Sequence, residues 1–378
     1  MENNIFTKLA TISAGAALSL ALIGVKSAQA VPLYSITDLG SFGGYPGLSP
    51  NRINDVGQVI LNNEKSFLWS NGNLTDLTAF NSINGIVLDI NNSGQIVGTS
   101  SDLNGDHPLL GNQNIVTDLG SFNGITNFNR AEAINDLGHV VGSVLFTNSK
   151  GQDQFLGWLW KNGIKTGLTS SNNPSCIPTE INNLGQIAGI SVPLRKPPVF
   201  GSSAVVLTQG QVVELPALDG SSENSASDIN NVGQVVGSSN GEAVLWSNGD
   251  VFGLGILGSN ENTYSVATGI NDLGQVIGYS SISEISPLTG QRHPFLWDGQ
   301  LQDLNNLIVD NLNWELEDAR DINNKGQIVG RGFLNGQSHA YLLTPLVVSE
   351  SVPEPKSTLG LLSLAAISIG LGFKRKRQ

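Results

Sequence analysis

The chain has 378 residues, of which 13% are charged and 45 are glycine, with a formal net charge of −12 and one cysteine. So acidic a chain should repel nucleic acid and anionic lipid rather than bind them, and the lone Cys176 excludes an intrachain disulfide. Abundant glycine with few charges suits many short strands joined by turns.

Residues 1–30 read as an export signal. Lys8 precedes the apolar run Ile12 to Val25, and Ala28-Gln29-Ala30 ends it with a small-x-small pattern, so a signal helix cleaved after Ala30 is expected. The run is short for a permanent anchor. Residues 31–348 then form the body, and residues 349–378 a separate C-terminal segment.

The body opens on Leu33-Tyr34-Ser35-Ile36-Thr37-Asp38-Leu39-Gly40, a close match to Asn114 through Gly120 further on. It is followed by seven near-copies of the unit written Ile270-Asn271-Asp272-Leu273-Gly274-Gln275-Val276-Ile277-Gly278. The copies begin at Ile53, Ile90, Ile134, Ile181, Ile229, Ile270 and Ile322, at steps of 37 to 52 residues, a period typical of repeat architectures. In each, Asn-x-x-Gly supplies turn chemistry: Asn caps nearby amides and Gly accepts positive φ, closing a hairpin. The recurrent Asn residues therefore read as local backbone caps rather than as a ring of ligand groups. A second hairpin follows, as in His293 to Trp297, Asp298-Gly299 and Leu301 to Leu304, or Val244 to Trp246, Asn248-Gly249 and Val251 to Leu254.

Four short antiparallel strands per period of about 45 residues is the arithmetic of a propeller blade. The expected fold is all-β: a seven-bladed β-propeller of four-stranded blades. Its seventh unit ends at His339-Ala340-Tyr341-Leu342-Leu343 without a fourth strand, and Leu33 to Leu39 is a fourth strand without its first three. The two are expected to pair and close the ring, which removes open strand edges.

The C-terminal segment carries Val352-Pro353-Glu354-Pro355, an apolar helix over Leu359 to Phe373, and the basic tail Lys374-Arg375-Lys376-Arg377. The basic cluster is expected to stay cytoplasmic while the apolar run enters the bilayer, with the propeller on the far side. Fifteen residues fall short of the roughly 20 of a comfortable span, which suits transient insertion. Without residues 1–30 (net +1) and 356–378 (net +5) the charge falls from −12 to −18.

On these residues the body resembles the bacterial extracellular HAF-repeat family, whose His-Ala-Phe slot reads here His107-Pro108-Leu109, His293-Pro294-Phe295 and His339-Ala340-Tyr341. The first unit departs from the pattern, with Leu61 where a second Gly usually falls. The tail resembles a PEP-CTERM sorting signal, matched by Pro353, Glu354 and Pro355, the apolar run and the basic end. The resemblance implies processing by an exosortase-type sorting enzyme. It also implies transient insertion in the inner membrane, then residence at the cell surface or in the extracellular matrix. It supplies no catalytic residue.

Chemistry is sparsely signalled. No nucleophile elbow, zinc spacing or phosphate loop is present, carboxylates look scattered rather than paired, and no cofactor is implied. The three slot histidines occupy equivalent positions in different units, too far apart to share a metal, so structural hydrogen bonding is expected of them. Asp102, Asn104 and Asp106 alternate like calcium ligands but lack the following Gly and distal Glu of a full loop, so a solvated turn competes with a metal site.

A binding function remains. Strand direction places the tight Asn-x-x-Gly and Asn-Gly turns on one end of the ring and the long, varied connections on the other. The varied face carries Tyr45, Phe128, Tyr264 and Trp314, which either stack on sugar rings or anchor a protein partner, or pack beneath their own loops. The expected function is an exported, non-catalytic protein binding exopolysaccharide or a surface protein through this face. The alternative is an exported enzyme with its site in the central channel.

Overall fold

The computed structural model describes residues 33–346 apart from residues 42–48, 81–84, 113, 126–127, 148, 150, 152, 169–175, 192–201, 221–222, 260–262, 283–290 and 311–312. The signal helix, the cleavage point after Ala30, Tyr45, the Pro353-Glu354-Pro355 motif and the C-terminal helix lie outside the described residues. Among the described residues no helix is long and apolar enough to cross a membrane.

The body is a seven-bladed propeller of four-stranded antiparallel sheets. Blade 5 is typical, with strands Asn224–Ile229, Val235–Ser239, Glu242–Ser247 and Asp250–Gly253 in simple up-and-down order. The expected turns are present: in blade 6, Gly274 sits at φ 78° and donates its N–H to the Asn271 carbonyl at 3.0 Å. Blade 7 combines Trp314–Ile322, Ile328–Leu334 and Gln337–Pro345 with Tyr34–Gly40, which pairs antiparallel to Gln337–Pro345 in the register Tyr34↔Pro345 through Asp38↔Tyr341.

Packing lies between blades rather than within them. Seven apolar clusters each join two neighbouring blades, and one of them unites Leu39, Val329, Ala340 and Leu342 of blade 7 with Ile53, Val59 and Leu61 of blade 1. Each sheet thus buries both faces, which is why second and third strands read as Val-, Ile- and Leu-rich runs.

Every first strand carries a β-bulge just before the repeat's Ile, for example between Val87 and Asp89, Ala226 and Asp228, and Ala319 and Asp321. A bulge bends the strand and re-aims a side chain; here it turns the residue before the Ile toward the propeller axis. It also brings backbone against the second strand. A Cβ on Gly98 would fall on the Ile86 carbonyl, which explains the second glycine of the repeat. Blade 1 instead sets fully buried Leu61 opposite Pro50.

Candidate functional site

Two belts of hydrogen bonds surround the axis at the tight-turn end, a buried inner one and a more exposed outer one. In the inner belt each repeat Asn donates its side-chain N–H to the main-chain carbonyl of the equivalent Asn in the next blade. The series runs Asn54, Asn91, Asn135, Asn182, Asn230, Asn271, Asn323 and back to Asn54, at 2.9–3.1 Å. The Asn Oδ1 meanwhile caps its own turn, as Asn91 does for the amides of Ser93 and Gln95. The expected local cap is therefore half of the residue's work; the other half joins blades. In the outer belt the next residue accepts, through Oδ1, the main-chain N–H of its counterpart in the preceding blade, at 2.7–2.8 Å all round.

The outer belt has a further side-chain layer. Its members run Asp55, Asn92, Asp136, Asn183, Asn231, Asp272, Asn324, so amides and carboxylates alternate except at Asn183–Asn231. Amide-to-carboxylate bonds of 2.8–3.1 Å cross the other six junctions. Seven is odd, and strict alternation cannot close.

Asn182 tests the inner belt. Its Nδ2 donates to both the Asn230 carbonyl and Gln186 Oε1. Asn182→Ala is expected to cost about 1–3 kcal/mol. Asn182→Asp should cost more, because it faces two acceptors with an anion. Urea midpoints at neutral pH would show this order; equal losses would mean that the bridge carries no energy.

Further along the axis sit the re-aimed residues Arg52, Asp89, Glu180 and Asp228, with Asp321 completing the set; Ala133 and Gly269 occupy the remaining blades. The sequence reading of scattered carboxylates is corrected here. They are scattered along the chain but converge in the ring. The four carboxylates accept the main-chain N–H of all seven repeat isoleucines: Asp89 those of Ile90 and Ile134, Asp228 those of Ile229 and Ile270, Asp321 those of Ile322 and Ile53, and Glu180 that of Ile181. Three of the four thus clamp adjacent blades together.

Arg52 is the cation of the cluster, 3.1 Å from Glu180 and 3.6 Å from Asp89. Burial opposes its charge, but the carboxylates, Glu180 foremost, outweigh this and raise its pKa. Burial pushes Asp89 up to about 6 and Asp321 up to about 7 against the opposing pull of Arg52, and raises Asp228 and Glu180 as well.

The slot histidines pair with a carboxylate on the neighbouring fourth strand: His107 with Asp118 at 2.8 Å, His293 with Asp303 at 2.6 Å, and His339 with Asp38 at 2.9 Å. The hydrogen bond that its ring N–H donates to Asp118 raises His107, and the one donated to Asp303 raises His293. Register alone produces these pairs, since the Thr-Asp-Leu-type fourth strand lies beside the slot. His339–Asp38 spans the two ends of the body.

The chain matches no family model. No curated protein matches it either. Among solved structures it is similar to the β-propeller domain of the Trilobed protease from Pyrococcus furiosus, at 12% identity over 69% of this chain and 82% of that one, TM-score 0.47. It is also similar to a Mycobacterium tuberculosis puromycin-hydrolyzing peptidase (11% identity, 80% of this chain, 53% of that chain, TM-score 0.47) and to TolB from Acinetobacter baumannii (15%, 54%, 51%, 0.37). The chain spans about half the length of these last two. None of these likenesses bears on function.

The candidate aromatics separate at the varied end. Trp314 is corrected: it is 6% exposed and packs edge-on against His339 and Tyr341. The cause is the length of its strand, which extends the first strand of blade 7 into what reads as loop. Phe128 is exposed, with a left-handed backbone at φ 47° that is costly for a bulky residue. It lines a surface groove with Asp102, Asp106 and Asp153. Asp102 and Asn104 there form a local turn, with Asp102 bonded to the Asn104 amide and to His107, while Asp106 accepts from Ser101. Among the described residues no group of three or more His, Cys, Asp or Glu could hold a metal ion.

Tyr264 is half-buried and has company that the sequence did not reveal. Its ring meets Tyr279 edge-on at 6.3 Å, and Arg292 lies 5.0 Å over the Tyr279 ring. Glu317 bridges Arg292 and Arg331 at 3.1 and 3.0 Å, and Asp318 pairs with Arg320 at 2.8 Å. Three arginines and two tyrosines therefore gather between blades 6 and 7 on an otherwise acidic body.

Proposed function

We propose that this protein is an exported, non-catalytic module of the cell surface or extracellular matrix that binds a glycan through the varied end of the propeller. The observation carrying this reading is the Tyr264–Tyr279–Arg292–Glu317 cluster. Aromatic faces suit the apolar faces of sugar rings, and planar guanidinium and carboxylate groups in fixed positions suit hydroxyl pairs. Tyr264 is held rigidly, with its main-chain N–H donated to Ser281 Oγ at 2.7 Å. In the channel, by contrast, the carboxylate oxygens are engaged by main-chain amides of adjacent blades, a structural employment that supports the non-catalytic reading over an enzyme in the channel.

This reading takes the body as a ring fastened by the pairing of Tyr34–Gly40 with Gln337–Pro345. It takes residues 1–30 as an export signal. The tail is a transient inner-membrane anchor recognised at Pro353-Glu354-Pro355 by an exosortase-type enzyme. The test is titration of the protein with acidic and neutral exopolysaccharide fragments. Tyr264→Ala and Arg292→Ala are each expected to weaken binding about tenfold or more with an unchanged melting temperature. Binding untouched by both changes would remove the cluster from the site.

A further inference from the structure

The third position of the Asn-x-x-Gly turn is where a hydrophilic residue costs nothing, yet it holds Val56, Leu137, Leu184, Val232 and Leu273, 56–73% exposed. Ser93 and Lys325 fill it in the other two blades. Single exposed aliphatics are ordinary; five at one equivalent position are a surface. The two belts bond the same atoms in every turn, which sets all seven tips at one level. Main-chain N–H groups of Leu137, Leu184, Val232 and Leu273 are bonded to the capping Asn of their own turns, so the turns are rigid and the side chains stand free.

Both ends of the described chain leave from this same end. Leu346 donates its N–H to the Leu33 carbonyl at 2.7 Å, beside the seventh turn, where Ile328 pairs with Leu343. Twelve residues separate Leu346 from the apolar run Leu359 to Phe373, and twelve residues reach at most about 40 Å. We infer that the tight-turn end of the propeller is a membrane-facing surface whose aliphatic ring rests in the interface of a zwitterionic bilayer; this rests on the reading of the tail as membrane-directed. A planar ring of apolar tips fits a flat apolar boundary. The neighbouring Asp55, Asp136 and Asp272 disfavour an anionic bilayer, and they also disfavour a second copy stacked face to face, which would oppose acidic rings. With this end on the bilayer, the Tyr264 cluster faces away from it.

The test uses the full chain with phosphatidylcholine vesicles. Ser93→Cys, in the ring, carries an environment-sensitive fluorophore, and Leu103→Cys, on the opposite end, is the control; Cys176 is buried at 2% exposure and is not labelled. Vesicles are expected to blue-shift the label at 93 and not at 103. Combined Leu137→Ser, Leu184→Ser and Leu273→Ser changes should abolish that shift and lower vesicle partitioning about tenfold or more. Co-sedimentation with no shift at 93, or a shift that survives the serine changes, overturns the surface while leaving the anchor standing. Failure to co-sediment overturns both. A shift without vesicles that grows with protein concentration assigns the ring to self-association, and one independent of concentration but lost with residues 359–378 assigns it to the chain's own tail; either overturns the bilayer.

Discussion

Replacing Arg52 with Met is expected to destabilise the protein by about 3–5 kcal/mol near pH 7.5, the cost of stranding buried carboxylates without their cation. Arg52 is the central partner of Asp89, Glu180, Asp228 and Asp321, all of which gain from its charge. The loss should shrink on acidification. Asp89 and Asp321 have folded pKa values of about 6 and about 7, above their ordinary value of 3.8. A carboxyl raised by folding binds protons more tightly in the native state. Its penalty is therefore complete above the folded pKa and gone below the unfolded one. Between pH 7 and 4 the cluster's contribution to stability should rise as pH falls, in the wild type and more steeply in Arg52→Met. Asp303, lowered despite its burial by His293 and the Asn305 amide, runs the opposite way and loses its contribution as pH falls. Urea midpoints of both proteins across this range decide the matter. A destabilisation of constant size would show that the carboxylates do not titrate against Arg52.

The second large effect is expected at the seam between the chain's ends. Tyr34 is fully buried in the cluster shared by blades 6 and 7, and its main chain bonds Leu307 and Val309 as well as the strand Gln337–Pro345. Tyr34→Ala should cost about 3–5 kcal/mol. Tyr34→Phe should be nearly neutral, because the buried hydroxyl has no hydrogen-bond partner among the described residues. Deleting residues 33–40 should do more. It removes the strand covering Gln337–Pro345, opens the cluster joining blades 7 and 1, and bares an edge that invites aggregation. Thermal unfolding with light scattering would detect both changes. A deletion that melts like the wild type would mean the ring does not depend on this strand.

Much of this was legible in the sequence. Short apolar strand runs and their Asn-x-x-Gly and Asn-Gly punctuation are local signals, and they located blades and turns correctly. The orphan Tyr34–Gly40 strand could be paired because its match to Asn114–Gly120 is itself a local comparison. The channel was not legible. Arg52, Asp89, Glu180, Asp228 and Asp321 occupy one column of the repeat, yet that column also holds Ala133 and Gly269, and Asp fills it in only three of the seven units, too few to flag it. Only bulge and ring together bring the column to the axis. The belts were half legible: capping explains an Asn without reference to any other blade, so nothing local demanded a second partner. Trp314 was misread because a long first strand resembles a loop when its bulges interrupt the alternation, and Tyr264 lacked its arginines because they come from two different blades.

The like-for-like junction Asn183–Asn231 has an evolutionary implication. A ring grown by duplicating repeats passes through odd and even memberships, and only even ones let amide and carboxylate alternate without a fault. Here the fault lies between blades 4 and 5. A duplicated unit bearing Asp at this position and inserted there would form two amide–carboxylate bonds where none now exists, whereas the same unit placed elsewhere would set carboxylate beside carboxylate and leave the fault in place. The molecule thus marks one address at which an eighth blade would be welcomed, and the chemistry of a single side-chain column biases how the repeat number can drift.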